Sequence, residues 1–173
     1  MSNTHELVTG LFEDRESAER AYQSLAERGY QDADVNVVMS DETRQRHFSP
    51  IGVQTEFGTK AAEGAGIGGA IGGALGAIAA AVAAAGSSLL IPGVGLIVAG
   101  PLAAALAGAG AGAAGGGLIG ALVGWGIPEE RVTEYEAGIK KGGILLGVRV
   151  RDAGDASYFE ESWKAQRAET TNP

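Results

Sequence analysis

The chain has no cysteine, which excludes disulfides, thiolate nucleophiles and cysteine-ligated metals. Histidine occurs twice, at His5 and His47, without a spaced partner, so no metal-ligating set is expected. Met1–Glu6 has neither a basic n-region nor an apolar h-region, and no secretory signal is expected there. Thirteen Lys and Arg stand against 21 Asp and Glu, a formal charge of −8. That balance excludes a general nucleic-acid binder, and no cationic cluster is long enough for a phosphate or anionic-lipid patch. One further absence is regional. Between Glu63 and Glu129 there is no Asp, Glu, Lys or Arg.

Glycine fills that region. The chain holds 29 glycines, and 20 of them fall between Gly64 and Gly126. Gly64, Gly68, Gly72 and Gly76 recur every fourth residue, and Ala80 and Ala84 continue the line. Gly100, Ala104, Gly108, Gly112, Gly116, Gly120 and Gly124 form a second register. Four-residue spacing aligns these atoms along one ridge of an α-helix. A ridge without side chains lets two helix backbones approach closely. Each glycine weakens a helix in water by ~1 kcal/mol against alanine, so the environment has to offset that cost. Lipid does so by making unsatisfied backbone more expensive than a poor helix former. A dry protein core does the same.

The lengths agree with membrane spanning. Gly64–Gly86 would reach ~34 Å and Pro101–Gly126 ~39 Å as helices, against a hydrocarbon core of ~30 Å. Ser87-Ser88 and Ile91–Gly95 would supply the turn. Arg44, Arg46 and Lys60 before the block, and Arg131, Lys140 and Lys141 after it, place both termini on the cytoplasmic side. Hydrophobicity is marginal: the first helix has five strongly apolar residues, Ile67, Ile71, Leu75, Ile78 and Val82, contributing only ~1.5–3 kcal/mol towards insertion. The rival arrangement is a cytoplasmic homo-oligomer with the hairpins as its apolar core. No ionisable residue lies in the block to line a pore.

The flanks read as α/β structure. Leu7–Phe12 predicts a strand, and Asp14 caps a helix carrying Ala18, Ala21, Tyr22, Leu25 and Ala26. Gly29 closes that helix and Asp34–Met39 predicts a second strand, giving a βαβ unit with parallel neighbours. Ser40–Lys60 reads as a polar linker, with a weak edge-strand signal over Ile51–Phe57. Ile127-Pro128-Glu129-Glu130 starts a helix with proline first and carboxylates at the positive end. Ile144–Val150 predicts a central buried strand. Asp155 opens a last helix with Phe159, Trp163 and Gln166 at helical spacing, and Arg167–Pro173 reads as a frayed tail. Residues 1–60 and 127–173 are therefore two halves of one discontinuous α+β domain, closest to ferredoxin-like, with a sheet of three or four strands. Residues 61–126 form an inserted glycine-zipper helical hairpin.

Chemistry-bearing candidates are few. Gly66–Gly72 superficially resembles a dinucleotide fingerprint, but no apolar strand precedes it and no lysine follows. Glu129, Glu130, Glu134 and Glu136 fit a solvated first turn and face. Trp125 fits an interfacial anchor or a core residue at the hairpin base. Tyr158, Phe159 and Trp163 fit a core or a self-association surface. No catalytic, cofactor-binding or metal-binding residue is expected.

Two stretches carry a family resemblance: Leu90-Ile-Pro-Gly-Val-Gly-Leu-Ile-Val-Ala-Gly-Pro-Leu102 and Gly126-Ile-Pro-Glu-Glu-Arg-Val-Thr-Glu-Tyr-Glu-Ala-Gly-Ile-Lys-Lys-Gly-Gly-Ile-Leu-Leu146. With Val8–Phe12 and its alanine-rich helix, they resemble the bacterial general stress proteins, which include low-temperature-induced members. The resemblance covers most of Leu7–Val150. It implies a stress-induced, non-enzymatic protein, often with a glycine-zipper insert, and supplies no catalytic residues. Because the chain stops soon after the last helix, a terminal strand is expected to be missing, leaving an open sheet edge for self-association.

The expectation is a stress-associated protein at the cytoplasmic membrane, self-assembling through Gly64, Gly68, Gly72, Gly76, Gly108, Gly112, Gly116, Gly120 and Gly124. Its partners are further copies of itself and the lipid bilayer, with no nucleic acid and no small-molecule substrate.

Overall fold

A computed structural model describes residues 6–48, 78, 89–91, 95–108, 119–120, 122–166 and 168–172. Its architecture is α+β. Strand β1 (Leu7–Phe12) leads to Asp14, whose side chain accepts from the Ser17 amide at 2.7 Å and caps α1 (Arg15–Glu27). A 3-10 turn over Asp32–Asp34 enters β2 (Val35–Ser40). Then come α2 (Asp41–His47), β3 (Leu89–Ile91), β4 (Leu96–Ala99) and α3 (Pro101–Gly108). The last part of the chain supplies α4 (Glu129–Lys140), β5 (Ile144–Arg149), α5 (Ala153–Ala165) and β6 (Ala168–Asn172).

The six strands lie in the order β3-β4-β2-β5-β1-β6, with every neighbouring pair antiparallel. β1 and β2 therefore run parallel, as a βαβ unit requires, but they are not neighbours. β5 lies between them, pairing Thr9 with Gly147 on one side and Asn36 with Gly147 on the other. The two halves are interleaved strand by strand. They also repeat each other: a shift of 138 positions carries Asp14 onto Asp152 and Arg15–Glu27 onto Ala153–Ala165. Each capping aspartate accepts from the amide three residues on, Ser17 and Asp155 respectively.

Four sequence expectations are corrected here. Ser40–Lys60 is not all linker, because Ser40 caps α2 by accepting from the Thr43 amide at 3.0 Å, with Asp41 and Glu42 at the positive end. The last helix is capped by Asp152 rather than opened by Asp155. Within the tail expected to be frayed, Ala168–Asn172 is a strand on the edge of β1 that was expected to be open. The apex of the supposed helical hairpin is a β-hairpin, with Leu89–Ile91 on Leu96–Ala99 and the latter on β2. Its continuous apolar run, broken by Pro92-Gly93 and Gly95, suits a strand buried on both faces. The Ile51–Phe57 strand signal lies outside the described residues.

Both faces of the sheet are covered. On one, Val8, Phe12, Val37, Met39, Leu146 and Val148 meet Ala18, Ala21, Tyr22 and Leu25 of α1 and Ala156, Phe159 and Trp163 of α5. On the other, Leu11, Val38, Val98 and Leu145 meet Val132, Tyr135 and Ile139 of α4 together with Leu122, Trp125 and Ile127. Each face has a tryptophan over a glycine. A Cβ on Gly10 would lie 2.8 Å from the Trp163 ring, and one on Gly147 would lie 2.1 Å from the Trp125 ring. Trp125 is thus a core residue at the base of the block. Buried polar groups are paired across and within the layers: the Thr9 and Tyr135 hydroxyls, on sheet and helix, lie 2.8 Å apart, and within the helical layer Trp163 Nε1–H donates to Ser24 Oγ at 3.3 Å. Burial pushes the Tyr135 phenol above its ordinary range, although the Thr9 bond pulls the other way.

Candidate self-association surface

Besides the pairing of β4 with β2, the charge-free block meets the α/β domain at three described places. At the first, Gly100 has φ +99° and approaches the backbone of β2 so closely that a Cβ would sit 2.2 Å from the Val35 carbonyl oxygen. Just beyond it, Asn36 Oδ1 accepts from the Leu102 amide at 2.6 Å, satisfying a free N–H of the first turn of α3. Asn36 is buried, and its Nδ2 also donates to the Gly147 carbonyl at 3.4 Å. The sequence reading passed over Asn36; a lone amide in Val-Asn-Val-Val-Met was the available signal. At the second place, Ile78 is fully buried in the core on the α1 and α5 side, and its amide donates to Glu19 Oε2 at 3.2 Å.

The third place is the end of the block. Residues 122–125 are helical, and Gly126, at φ +106°, ends that turn. The Ile127 amide donates to Leu122 O and the Gly126 amide to Val123 O, each at 3.0 Å. This pairing needs a left-handed residue, and glycine takes it without a Cβ penalty. Leu122 is fully buried and Trp125 is 9% exposed. The opposite side of the same turn is open. Ile119 is 39% exposed and Val123 43%, the exposed large hydrophobics among the described residues. Gly120 and Gly124 are exposed beside them, and a Cβ at either would meet nothing within 4 Å. Residues 119–127 include no polar side chain. A helix apolar on all sides ordinarily sits inside a larger apolar mass, yet Ile119, Gly120, Val123 and Gly124 are exposed among the described residues.

Of the nine ridge glycines expected from the sequence, Gly120 and Gly124 share this open face, and Gly108 is the last residue of α3. Gly64, Gly68, Gly72, Gly76, Gly112 and Gly116 lie outside the described residues. Ile78 belongs to one core, Leu122 and Trp125 to the other, and the sheet separates them. No helix among the described residues is long and apolar enough to cross a membrane.

The other chemistry-bearing cluster ties the two repeats together. The Asp155 carboxylate accepts from Arg28 and, at 2.5 Å, from the Tyr30 hydroxyl. Arg28 lies 3.8 Å over the Tyr158 ring and Arg151 lies 4.3 Å over the Tyr30 ring. The Arg151 amide donates to Tyr30 Oη and its guanidinium to the Gly29 carbonyl. Burial works to raise the Asp155 carboxyl, but the Tyr30 and Arg28 bonds and the Arg28 and Arg151 charges outweigh it, holding it below its ordinary 3.8. Burial and the Asp155 bond push Tyr30 up to about 12. Each donor and acceptor named here has its partner, so the cluster is a clasp between the α1–β2 and β5–α5 corners.

Its pH dependence has a definite sign. A depressed carboxyl stabilises the fold above its unfolded value and loses that contribution as pH falls below 3.8; a raised phenol stabilises below pH 10 and loses its contribution as pH climbs towards 12. Asp155→Asn is expected to cost about 1–2 kcal/mol at pH 7, a figure discounted because Arg28 is well exposed. Urea unfolding at pH 7 and pH 3 checks this: the gap between variant and parent should shrink at pH 3, and a gap constant with pH would refute the clasp.

The acidic residues after the block behave as surface charge. Glu129, Glu130 and Glu134 are exposed, and Glu136 accepts from Lys140 Nζ at 2.6 Å. The His47 carbonyl accepts from Arg15, and His5 lies outside the described residues. Among the described residues, no group of three or more His, Asp or Glu side chains is placed to hold a metal ion. Comparison with protein-family models, with curated proteins and with solved structures returned no match to this chain.

Proposed function

We propose that this chain is a non-enzymatic, stress-associated protein that assembles with further copies of itself through the glycine ridge ending in Gly120 and Gly124. The observation that carries the reading is the exposed apolar set Ile119, Gly120, Val123 and Gly124, set opposite the buried Leu122 and Trp125 among the described residues. Ile119 and Val123 form a low ridge, and Gly120 and Gly124 beside them form a groove. Such a surface is self-complementary, since the ridge of one copy suits the groove of another about a twofold axis. Stress association rests on the sequence resemblance to the general stress proteins. The same reading takes the α/β body as ferredoxin-like, with the block inserted between the halves. Support for this comes from β1 and β2 running parallel on either side of β5, and from α1 and α5 as repeated crossovers on one face.

Cover by other protein copies is favoured over a two-span hairpin with its turn across the bilayer. β4 is hydrogen-bonded to β2, so the apex and the cytoplasmic-side strands belong to one sheet. Ile78, in the middle of the first expected span, is buried against the α1 side of that body. The second reading, insertion at the cytoplasmic membrane, keeps one observation in its favour: no charge from Gly64 to Pro128.

Native mass of the full-length protein tests the proposal, with Gly120→Leu/Gly124→Leu as the variant. Filling the groove should weaken association at least about tenfold, or ~1.4 kcal/mol, because the backbones can no longer approach. A Cβ at either position would meet nothing within 4 Å among the described residues, so the fold should survive. A monomeric parent would sink the reading. So would carbonate-resistant pelleting released only by detergent, which would restore the membrane.

A further inference from the structure

The ridge can mate only if it faces outward, and its direction depends on how the helical residues 119–120 and 122–125 are rotated about their axis. Successive helix positions differ by about 100°, so a slip of one residue would turn the ridge away. Among the described residues of this turn, Leu122 and Trp125 lie on the sheet side, opposite Ile119, Gly120, Val123 and Gly124. Leu122 is a flexible aliphatic side chain. Trp125 is a rigid plate fitted to a specific gap. Gly147 stands in the central strand between β1 and β2, and its missing Cβ is what the indole occupies: that atom would lie 2.1 Å from Cη2 and 2.6 Å from Cζ3. Next to the gap, Asn36 binds the Gly147 carbonyl and the start of α3, so the floor of the gap and the other end of the second glycine register share one support.

We propose that Trp125 is a positioning residue, and that its seat on Gly147 fixes the rotation of the terminal helical turn and so aims the glycine ridge at a second copy. The assignment rests on the self-assembly reading. It adds the claim that the seat governs presentation of the ridge as well as packing.

A mutant pair separates the two roles. Trp125→Ala/Gly147→Leu removes the plate and refills much of the gap from the strand, whose extended backbone accepts leucine. The core stays packed while the helical turn loses its seat. Circular dichroism should match the parent, and emission from the remaining Trp163 should match that of Trp125→Phe, showing a folded body. Native mass should show association weakened at least about tenfold, and hydrogen exchange should accelerate over residues 119–127 but not over β5. Trp125→Phe, which keeps a ring in the gap, should retain most of the association. A folded double variant that assembles as tightly as the parent overturns the positioning role and leaves self-assembly standing. A parent that is monomeric overturns both.

Discussion

Gly147→Ala is expected to destabilise the protein by about 2–4 kcal/mol, measured as a lower urea midpoint at unchanged slope. The added methyl would have to sit inside the Trp125 ring. The ring cannot shorten, and the turn that carries it is held by the Gly126 hydrogen bonds. Either the indole leaves its seat, forfeiting part of the roughly 3–5 kcal/mol that deleting a buried tryptophan costs, or β5 shifts and disturbs its pairing with both β1 and β2. Alanine restricts the unfolded chain more than glycine does, but that gain is only about 0.5–1 kcal/mol and cannot offset the clash. Gly10→Ala is the internal control. Its nearest neighbours are side-chain atoms of Trp163 at 2.8 Å and Phe12 at 3.2 Å, so it should cost clearly less. A loss below about 1 kcal/mol for Gly147→Ala would mean that Trp125 does not occupy the gap.

Gly100→Ala should cost about 3 kcal/mol or more, for a different reason. Here the obstacle is backbone. The new methyl would fall 2.2 Å from the Val35 carbonyl oxygen and 3.1 Å from the Asn36 Cα, and the residue stands at φ +99°, where an L side chain is strained in any space. Val35 cannot retreat without leaving Val148, its partner in the ladder. The corner between β4 and α3 must therefore come off β2, and the Asn36 cap on Leu102 comes off with it. Hydrogen exchange should register the loss over residues 96–102 first. An innocuous Gly100→Ala would show that the apex does not dock on the sheet, and would return the block to a free helical hairpin.

Much of the body was legible from local chemistry. Asp14 followed by Ala18, Ala21, Tyr22 and Leu25 gives a capped helix with one apolar face, and α1 is that helix. Ile144–Val150 reads as a buried strand because both of its sides are apolar, and β5 indeed has a core on each face. The failures share a cause: pairing is non-local. Ala-Glu-Thr-Thr-Asn has no apolar alternation, and it becomes β6 because β1, at the other end of the sequence, offers a free edge, with Phe12 opposite Ala168 at one end of the ladder and Thr9 opposite Asn172 at the other. Leu-Ile-Val-Ala inside a charge-free block fits a helix turn or a doubly buried strand equally well, and the free edge of β2 decides. The spacing of Gly120 and Gly124 was plain in the sequence. Their exposure beside Ile119 and Val123 was not, because exposure depends on where Trp125 finds its seat.

The interleaved strand order sets a timetable for synthesis. β1 and β2 leave the ribosome early but cannot pair with each other, since the strand that joins them begins only at Ile144. At typical elongation rates the intervening stretch takes roughly 5–20 s to make. Until β4 emerges to pair with β2 the nascent chain carries two unpaired apolar strands, and β1 still waits for β5 beside a growing glycine-rich segment with no charge to keep it apart from its neighbours on the polysome. The last thirty residues thus close the sheet in one late step, and a ribosome that stalls before them releases a sticky, unclosed chain.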